Sequence, residues 1–308
     1  MKDLKVIFMG TPSFSLHVLE GLIESTNVIA VVTQPDKEVG RKKVLTKSPV
    51  RVLAEKNNIK VLTPVKLRNE YKDIINLNPD IIITCAYGQM LPEELIYAPK
   101  YNTVNVHASL LPKYRGASPI HYALLNGEKE TGITIMFTDK GMDTGDIISK
   151  RSISIGSDNF TTLSEKLSIL GKELLLDTLP SIIDGTCERI KQDDNEATYT
   201  YLIKREDEKL DLNKPCMEIL NKIKALCEIG PYLYIDDMEI KVFDAEVGSD
   251  INEDPGKIIN VYKNGIGVAT KDKELIIKRL QVPGKRVMDT RDFLNGIDKE
   301  SLKNKYLK

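Results

Sequence analysis

DIIITCAY, residues 80–87, followed after a short break by TVNVHA, residues 103–108, decides the reading of the fold. The first is a run of β-branched and other apolar residues, the pattern of a strand buried on both faces, and the second is a shorter strand pattern beside it. Working back from them, VIAVVTQ (28–34) and KVIFMG (5–10) read the same way, and KVLTP (60–64) is a shorter example. Forward of them lies GITIMFTD (132–139). Helical periodicity fills the gaps near 48–57, 66–76 and 118–126. After KVIFMG, Thr11 is placed to cap a helix with Pro12 in its first turn, and Phe14, Val18, Leu19, Leu22 and Ile23 form its inward stripe. Buried strands alternating with helices predict βαβ units around a mostly parallel, Rossmann-like sheet. In such sheets ligands collect at the carboxyl ends of the strands, where chain order reverses. His107, one of only three histidines, falls at such an end.

A long helical pattern at 161–183 closes this first region. Residues 185–206 are polar and nearly aperiodic. After a further helical pattern at 216–226 come five or so short strands joined by Asp-Asp, Asp-Pro-Gly, Asn-Gly and Lys-Asp turns. Strands at that spacing predict a small OB-like β-barrel, a fold that often grips oligonucleotides. The expected organisation is therefore a catalytic domain over 1–186, a linker over 187–206 and a barrel domain over 207–308.

Composition limits the function. Of 308 residues, 41% are hydrophobic and 29% charged, which fits a globular chain with a real core. The formal net charge is -1, so a polyanion would have to be held by local patches. Cys85, Cys187, Cys216 and Cys227 are scattered without a CxxC, which argues against disulfides and zinc and for a reducing cytoplasm. No stretch approaches the roughly 18 apolar residues of a membrane span, and the N-terminal run is too short for a signal peptide. GTP follows the first strand, but neither GxGxxG nor a P-loop does, so nucleotide cofactor chemistry loses its usual signature.

What remains is NVHASLLPKYRG (105–116) and DKGMDTGD (139–146). Asn105 and His107 stand two apart on one strand and so leave the same face. A histidine moves protons near neutral pH, and an asparagine amide can donate to a developing oxyanion. With no GxSxG and no nearby cysteine nucleophile, direct transfer to an incoming amine fits better than an acyl-enzyme. Asp143, in a glycine-rich turn, is placed to take the proton; Asp139 and Asp146 are rivals in the same loop. Ser109, Leu110, Leu111 and Pro112 form an apolar shelf for a flat heteroaromatic ligand, with AYGQMLP (86–92) as its opposite wall. Two basic clusters, QPDKEVGRKKVLTKSP (34–49) and KRLQVPGKR (278–286), offer phosphate contacts.

These stretches, with MGTPSFSLHVLEGLI (9–23), SPVRVLA (48–54), NVHASLLPKYRGASPIHYAL (105–124), ETGITIM (130–136) and GMDTGDII (141–148), resemble the methionyl-tRNA formyltransferase family of 10-formyltetrahydrofolate-dependent enzymes. The resemblance covers nearly the whole chain. It implies transfer of a formyl group from the folate to the methionine amine of initiator tRNA, without a metal. It assigns Asn105, His107 and Asp143 to catalysis, Ser109, Leu110, Leu111 and Pro112 to the folate, and Arg41, Lys42 and Lys43 to the tRNA. A monomeric cytoplasmic enzyme with no membrane partner is expected. The wider group includes formyltransferases of sugar amines and ribonucleotides, which are the alternative reading. The chain departs from the family pattern at KLDLNK (209–214), where members usually carry a tryptophan, and at ALCEIGPYLYI (225–235).

Overall fold

The computed structural model describes residues 1–308 except Arg41, Lys42 and Asn304. Two compact units emerge, one of Met1–Pro119, Glu130–Ser154 and Ser164–Thr200, the other of Ile120–Lys129, Ile155–Leu163 and Tyr201–Lys308.

The first unit is a seven-stranded sheet. From one edge to the other its strands are Ile147–Ser154, Glu130–Phe137, Thr103–His107, Ile81–Cys85, Lys5–Gly10, Asn27–Val32 and Lys60–Leu62. The five from Thr103–His107 to Lys60–Leu62 run parallel. Ile7, Phe8, Met9, Ile81, Ile82 and Ile83 are buried at the centre, as their unbroken apolar runs require. The chain moves outward from Lys5–Gly10 to Lys60–Leu62, then returns on the other side through Ile81–Cys85. That reversal brings the loops after residues 10, 85 and 107 out at the same end of the sheet.

Two strands turn the sheet antiparallel. Glu130–Phe137 pairs antiparallel with Thr103–His107, and Ile147–Ser154 pairs antiparallel with Glu130–Phe137. The last strand, IISKRSIS, begins with two buried isoleucines and from Ser149 alternates half-buried and exposed positions, the period-two pattern of a strand wet on one side. The helix after the first strand also starts differently from expectation. Ser13–Ser15 form a 3-10 turn before the α-helix Leu16–Ser25, and Ser15 donates to the Cys85 carbonyl at 2.6 Å. The Thr11 hydroxyl donates to the Tyr87 carbonyl at 3.1 Å and caps nothing. Val18, Leu19 and Leu22 are buried as expected, while Phe14 and Ile23 are half-buried.

Part of the stretch read as a linker is woven into this unit. Ile190 exchanges backbone hydrogen bonds with Ile147 at 2.8 and 2.9 Å, and Tyr199–Thr200 pair in parallel with Arg115–Gly116. Its polar side chains hide the arrangement, because backbone groups make most of these bonds.

In the second unit, the helix Cys216–Ala225 buries Ile219, Leu220 and Ile223 against antiparallel strands. These run in the order Tyr232–Ile235, Met238–Asp250, Lys273–Gln281, Gly265–Ala269, Ile258–Tyr262, with Met288–Asp289 also on Lys273–Gln281. Register shifts along Met238–Asp250 bend that long strand, as bulges do. Residues 305–308 then bridge the two edge strands. Lys308 exchanges backbone bonds with Tyr234 at 2.8 and 2.7 Å, Leu307 donates to Gly256 at 2.8 Å, and Ile258 donates to Lys305 at 2.8 Å. The result is a barrel-like unit, in keeping with the expected α/β architecture plus an antiparallel β domain.

Deleting residues 305–308 removes those four bonds and uncovers buried Leu307. At about 1 kcal/mol per net hydrogen bond and about 2 kcal/mol for the leucine, the loss is several kcal/mol. Chemical denaturation of the full chain is expected to show an earlier transition in the deleted form. An unchanged midpoint would mean that the bridge contributes nothing.

Candidate active site

The strand Thr103–His107 sends Val106 toward the helix Phe160–Ile183, where Gly171 leaves it room, and Asn105 and His107 to the opposite face. Asn105 is half-buried and His107 only 6% exposed. Nε2 of His107 lies 2.9 Å from the Tyr114 carbonyl oxygen. A carbonyl only accepts, so that nitrogen carries hydrogen and Nδ1 is left for chemistry. Nδ1 lies 3.7 Å from Oδ2 of Asp143.

The Asn105 amide is oriented on both sides. Its oxygen accepts from the Thr84 hydroxyl at 2.9 Å, and its nitrogen donates to Asp143 Oδ1 at 3.3 Å. Because a carboxylate only accepts, the nitrogen must face it. One amide hydrogen stays available for another oxygen.

The loop carrying Asp143 leaves the sheet opposite Val104 and doubles back, so that its carboxylate reaches Asn105 and His107. Asp143 sits at φ 55, a left-handed conformation that aspartate tolerates better than most residues. Its Oδ2 accepts from the Gly116 backbone nitrogen at 2.7 Å. The rivals have other work. Asp139 accepts from the Gly141 backbone and the Thr144 hydroxyl at 3.0 and 2.7 Å and shapes the turn. Asp146 pairs with Arg189 at 3.0 Å. Asp143 retains 19% side-chain exposure, so the cluster opens to solvent on that side.

The Ser109–Pro112 run divides by role. Ser109 and Leu111 are buried: Ser109 donates to the Lys113 carbonyl at 2.6 Å, and Leu111 packs with Met136 and Ile147. The Thr134 hydroxyl donates to the Ser109 carbonyl at 2.7 Å and accepts from Leu111 nitrogen at 3.1 Å, while Lys150 donates to the Leu111 carbonyl at 3.1 Å. Those backbone groups are engaged within the chain. Leu110 and Pro112 alone of the four are half-open. The 86–92 loop emerges beside this run because strands Ile81–Cys85 and Thr103–His107 are parallel neighbours. The Tyr87 carbonyl holds it down by accepting from Thr11 and from Gln34, each at 3.1 Å.

Sequence reasoning missed Thr84, Tyr114, Gly116 and Gln192. Tyr114 and Gly116 lie inside the quoted YRG stretch, but they act through backbone groups, which leave no residue pattern. Gln192 sits in the aperiodic stretch and carried no signal.

The basic cluster at 34–49 is more ordered than a plain loop. Lys37–Val39 and Val44–Thr46 form an antiparallel hairpin. Arg41 and Lys42, expected at the tRNA, lie outside the described residues. Lys43 is exposed, with Nζ 3.8 Å from Glu38. On the second cluster, Lys278 pairs with Glu246 at 3.0 Å and Arg279 lies 3.8 Å from Asp289, which leaves Lys285 and Arg286 as exposed bases.

A formyl transferase family model matches residues 4–179, and a formyl transferase C-terminal domain model matches residues 202–298. Methionyl-tRNA formyltransferase of Staphylococcus aureus strain MW2 is 50% identical over 299 residues, covering 95% of this chain and 96% of that protein. The chain belongs to the methionyl-tRNA formyltransferase family. Among solved structures, a sugar 3N-formyl transferase crystallised with dTDP and 5-N-formyl-THF aligns with a TM-score of 0.68 at 22% identity. The match covers 93% of this chain and all of that one. The N-formyltransferase of Helicobacter canadensis aligns with a TM-score of 0.66 at 23% identity, over 89% of this chain and 98% of its own. At that identity the two structures establish a shared fold. Membership of the family makes this chain a formyltransferase, and the Asn105, His107 and Asp143 cluster lies within the segment that the first family model covers.

Proposed function

We propose that the chain transfers the formyl group of 10-formyltetrahydrofolate to the amino group of methionine on initiator tRNA, in the cytoplasm. The observation that carries this reading is the convergence of Asn105 Nδ2, His107 Nδ1 and the Asp143 carboxylate at the carboxyl end of the sheet's parallel strands. Leu110 and Pro112 are the open residues of the shelf and would hold the folate's flat ring by apolar contact. Ser109 and Leu111 would act indirectly, by keeping the shelf in shape. The folate supplies the one-carbon unit at the formyl oxidation level.

The residues divide the reaction between them. The amide hydrogen of Asn105 that Asp143 does not use donates to the formyl oxygen as the amine adds. Protonated Nδ1 of His107 donates to the same centre and delivers its proton to the departing folate nitrogen. Asp143 accepts the proton that the attacking amine loses and can return it to Nδ1, which it faces. One carbon–nitrogen bond forms, one breaks, and one proton passes from amine to leaving nitrogen. A well-placed oxyanion donor contributes about 10²–10³ in rate, and general acid–base transfer about 10²–10⁴. No metal enters this account.

The proposal assigns residues 1–186 to catalysis and 207–308, the barrel-like domain, to tRNA, with 187–206 between them. Arg41, Lys42 and Lys43 would hold phosphates near the acceptor end, and the chain would act as a monomer. If so, the affinity for Met-tRNA falls steeply between 50 and 200 mM salt, by orders of magnitude if several phosphates are held. Arg41→Ala is expected to reduce the slope of log affinity against log salt by about 1 while leaving folate binding unchanged. Filter binding over a salt series checks it, and a flat salt response would remove the basic hairpin from the interface.

A further inference from the structure

The most deeply buried charged group in the described first unit is Arg115, 1% exposed, and the catalytic assignment does not use it. Its Nε donates to the Gln192 side-chain oxygen at 3.0 Å, and its Nη1 pairs with Asp194 at 2.9 Å. A guanidinium only donates, so the Gln192 oxygen faces the arginine and its amide nitrogen points away. That nitrogen donates to two carbonyls at 2.8 Å each, those of Asp143 and Gly145. These carbonyls sit on either side of Thr144, in the turn that holds Asp143 at its left-handed φ. Gln192 spends both amide hydrogens on the backbone that aims the carboxylate.

The strap carrying Gln192 is pinned at both ends. At one end Ile190 is bonded to Ile147. At the other, Thr198 accepts from the Arg115 backbone nitrogen through its carbonyl and from the Tyr114 nitrogen through its hydroxyl, both at 2.8 Å. Tyr114 and Gly116 are the residues whose backbones hold His107 and Asp143. Residues 190–200 therefore clasp the backbone behind both catalytic side chains.

We infer that Gln192 is a positioning residue: it fixes the turn 143–145 from the strap and so sets the aim of the Asp143 carboxylate. The inference rests on the reading of Asp143 as the proton acceptor. Gln192 is half-buried and touches the turn only through backbone carbonyls, while its oxygen also serves buried Arg115, so the test must separate the two contacts.

The test is a double-mutant cycle on the full chain, with single-turnover formyl transfer from 10-formyltetrahydrofolate to Met-tRNA as the readout. Gln192→Met keeps the side-chain length and removes both the donors to the turn and the acceptor for Arg115. Gln192→Glu keeps the acceptor for Arg115 and replaces the donors with a carboxylate oxygen facing two carbonyls. Each is expected to lower kcat at least about tenfold, with both KM values within about twofold, because small misplacements of a reacting group are costly in rate. Gln192→Glu should be the slower. In an Asp143→Asn background, whose asparagine keeps the preference for positive φ, Gln192→Met should cost less than about twofold, since the group it aims is already disabled. Equal losses in both backgrounds would show a general structural role and overturn the inference, as would a Gln192→Met kcat within about twofold of wild type. If Asp143→Asn itself leaves kcat unchanged, the assignment of Asp143 falls and this inference falls with it. An impaired Asp143→Asn beside an unimpaired Gln192→Met overturns the positioning role alone.

Discussion

His107→Gln is expected to lower kcat for formyl transfer by about 10²–10⁴-fold, the range of a lost general acid–base, with KM for both substrates within about threefold. Glutamine isolates the atom in question. Its amide nitrogen reaches about as far as Nε2 and can still donate to the Tyr114 carbonyl, the bond that holds the imidazole in place. What disappears is Nδ1, the nitrogen that faces Asp143 at 3.7 Å. Because the buried carbonyl keeps a donor, little stability should be lost, and thermal melts of the two forms should nearly coincide. A kcat within about threefold of wild type would remove His107 from the chemistry and leave it a structural histidine.

Gly116→Ala is expected to damage both stability and rate. Gly116 has φ +103, a conformation that side-chain-bearing residues rarely adopt, and a Cβ there would lie 2.5 Å from the Thr200 carbonyl oxygen. Strain of this kind costs about 1–3 kcal/mol, which in a chain of this size lowers Tm by several degrees. The rate should suffer separately. The Gly116 N–H donates to Asp143 at 2.7 Å, and moving it aside frees the carboxylate to leave His107 and Asn105. A fall in kcat of about a hundredfold is expected, measured at a temperature where the variant is fully folded. Wild-type kcat in a destabilised variant would show that Asp143 needs no such anchor.

The first unit was legible because its central strands are buried on both faces, so Ile81–Ile83 and Val6–Met9 are apolar throughout. The edge strand Ile147–Ser154 was harder to see, since half of its residues face outward and it follows the polar loop that carries Asp143. In the site, Asn105 and His107 were legible because a two-residue period fixes a shared face. Choosing Asp143 over Asp139 and Asp146 was not, because it depends on a loop doubling back through a left-handed residue. The apolar run Ser109–Pro112 reads as one shelf, but which of its side chains are buried, Ser109 and Leu111, depends on loop geometry that carries no period. The clasp at 190–200 had no legible signature. Its bonds run largely between backbone groups and polar side chains, and such bonds impose no hydrophobic period.

The carboxylate, imidazole and carboxamide of this cluster are proposed to pass a formyl group to an aminoacyl amine on RNA. Single-turnover transfer from 10-formyltetrahydrofolate to Met-tRNA, by the wild-type chain and by Asp143→Asn, tests it most directly. Rapid appearance of formylmethionyl-tRNA is expected with wild type, and a rate at least about a hundredfold slower with the variant. Transfer at equal rates by the two, or none by the wild-type chain, would contradict it.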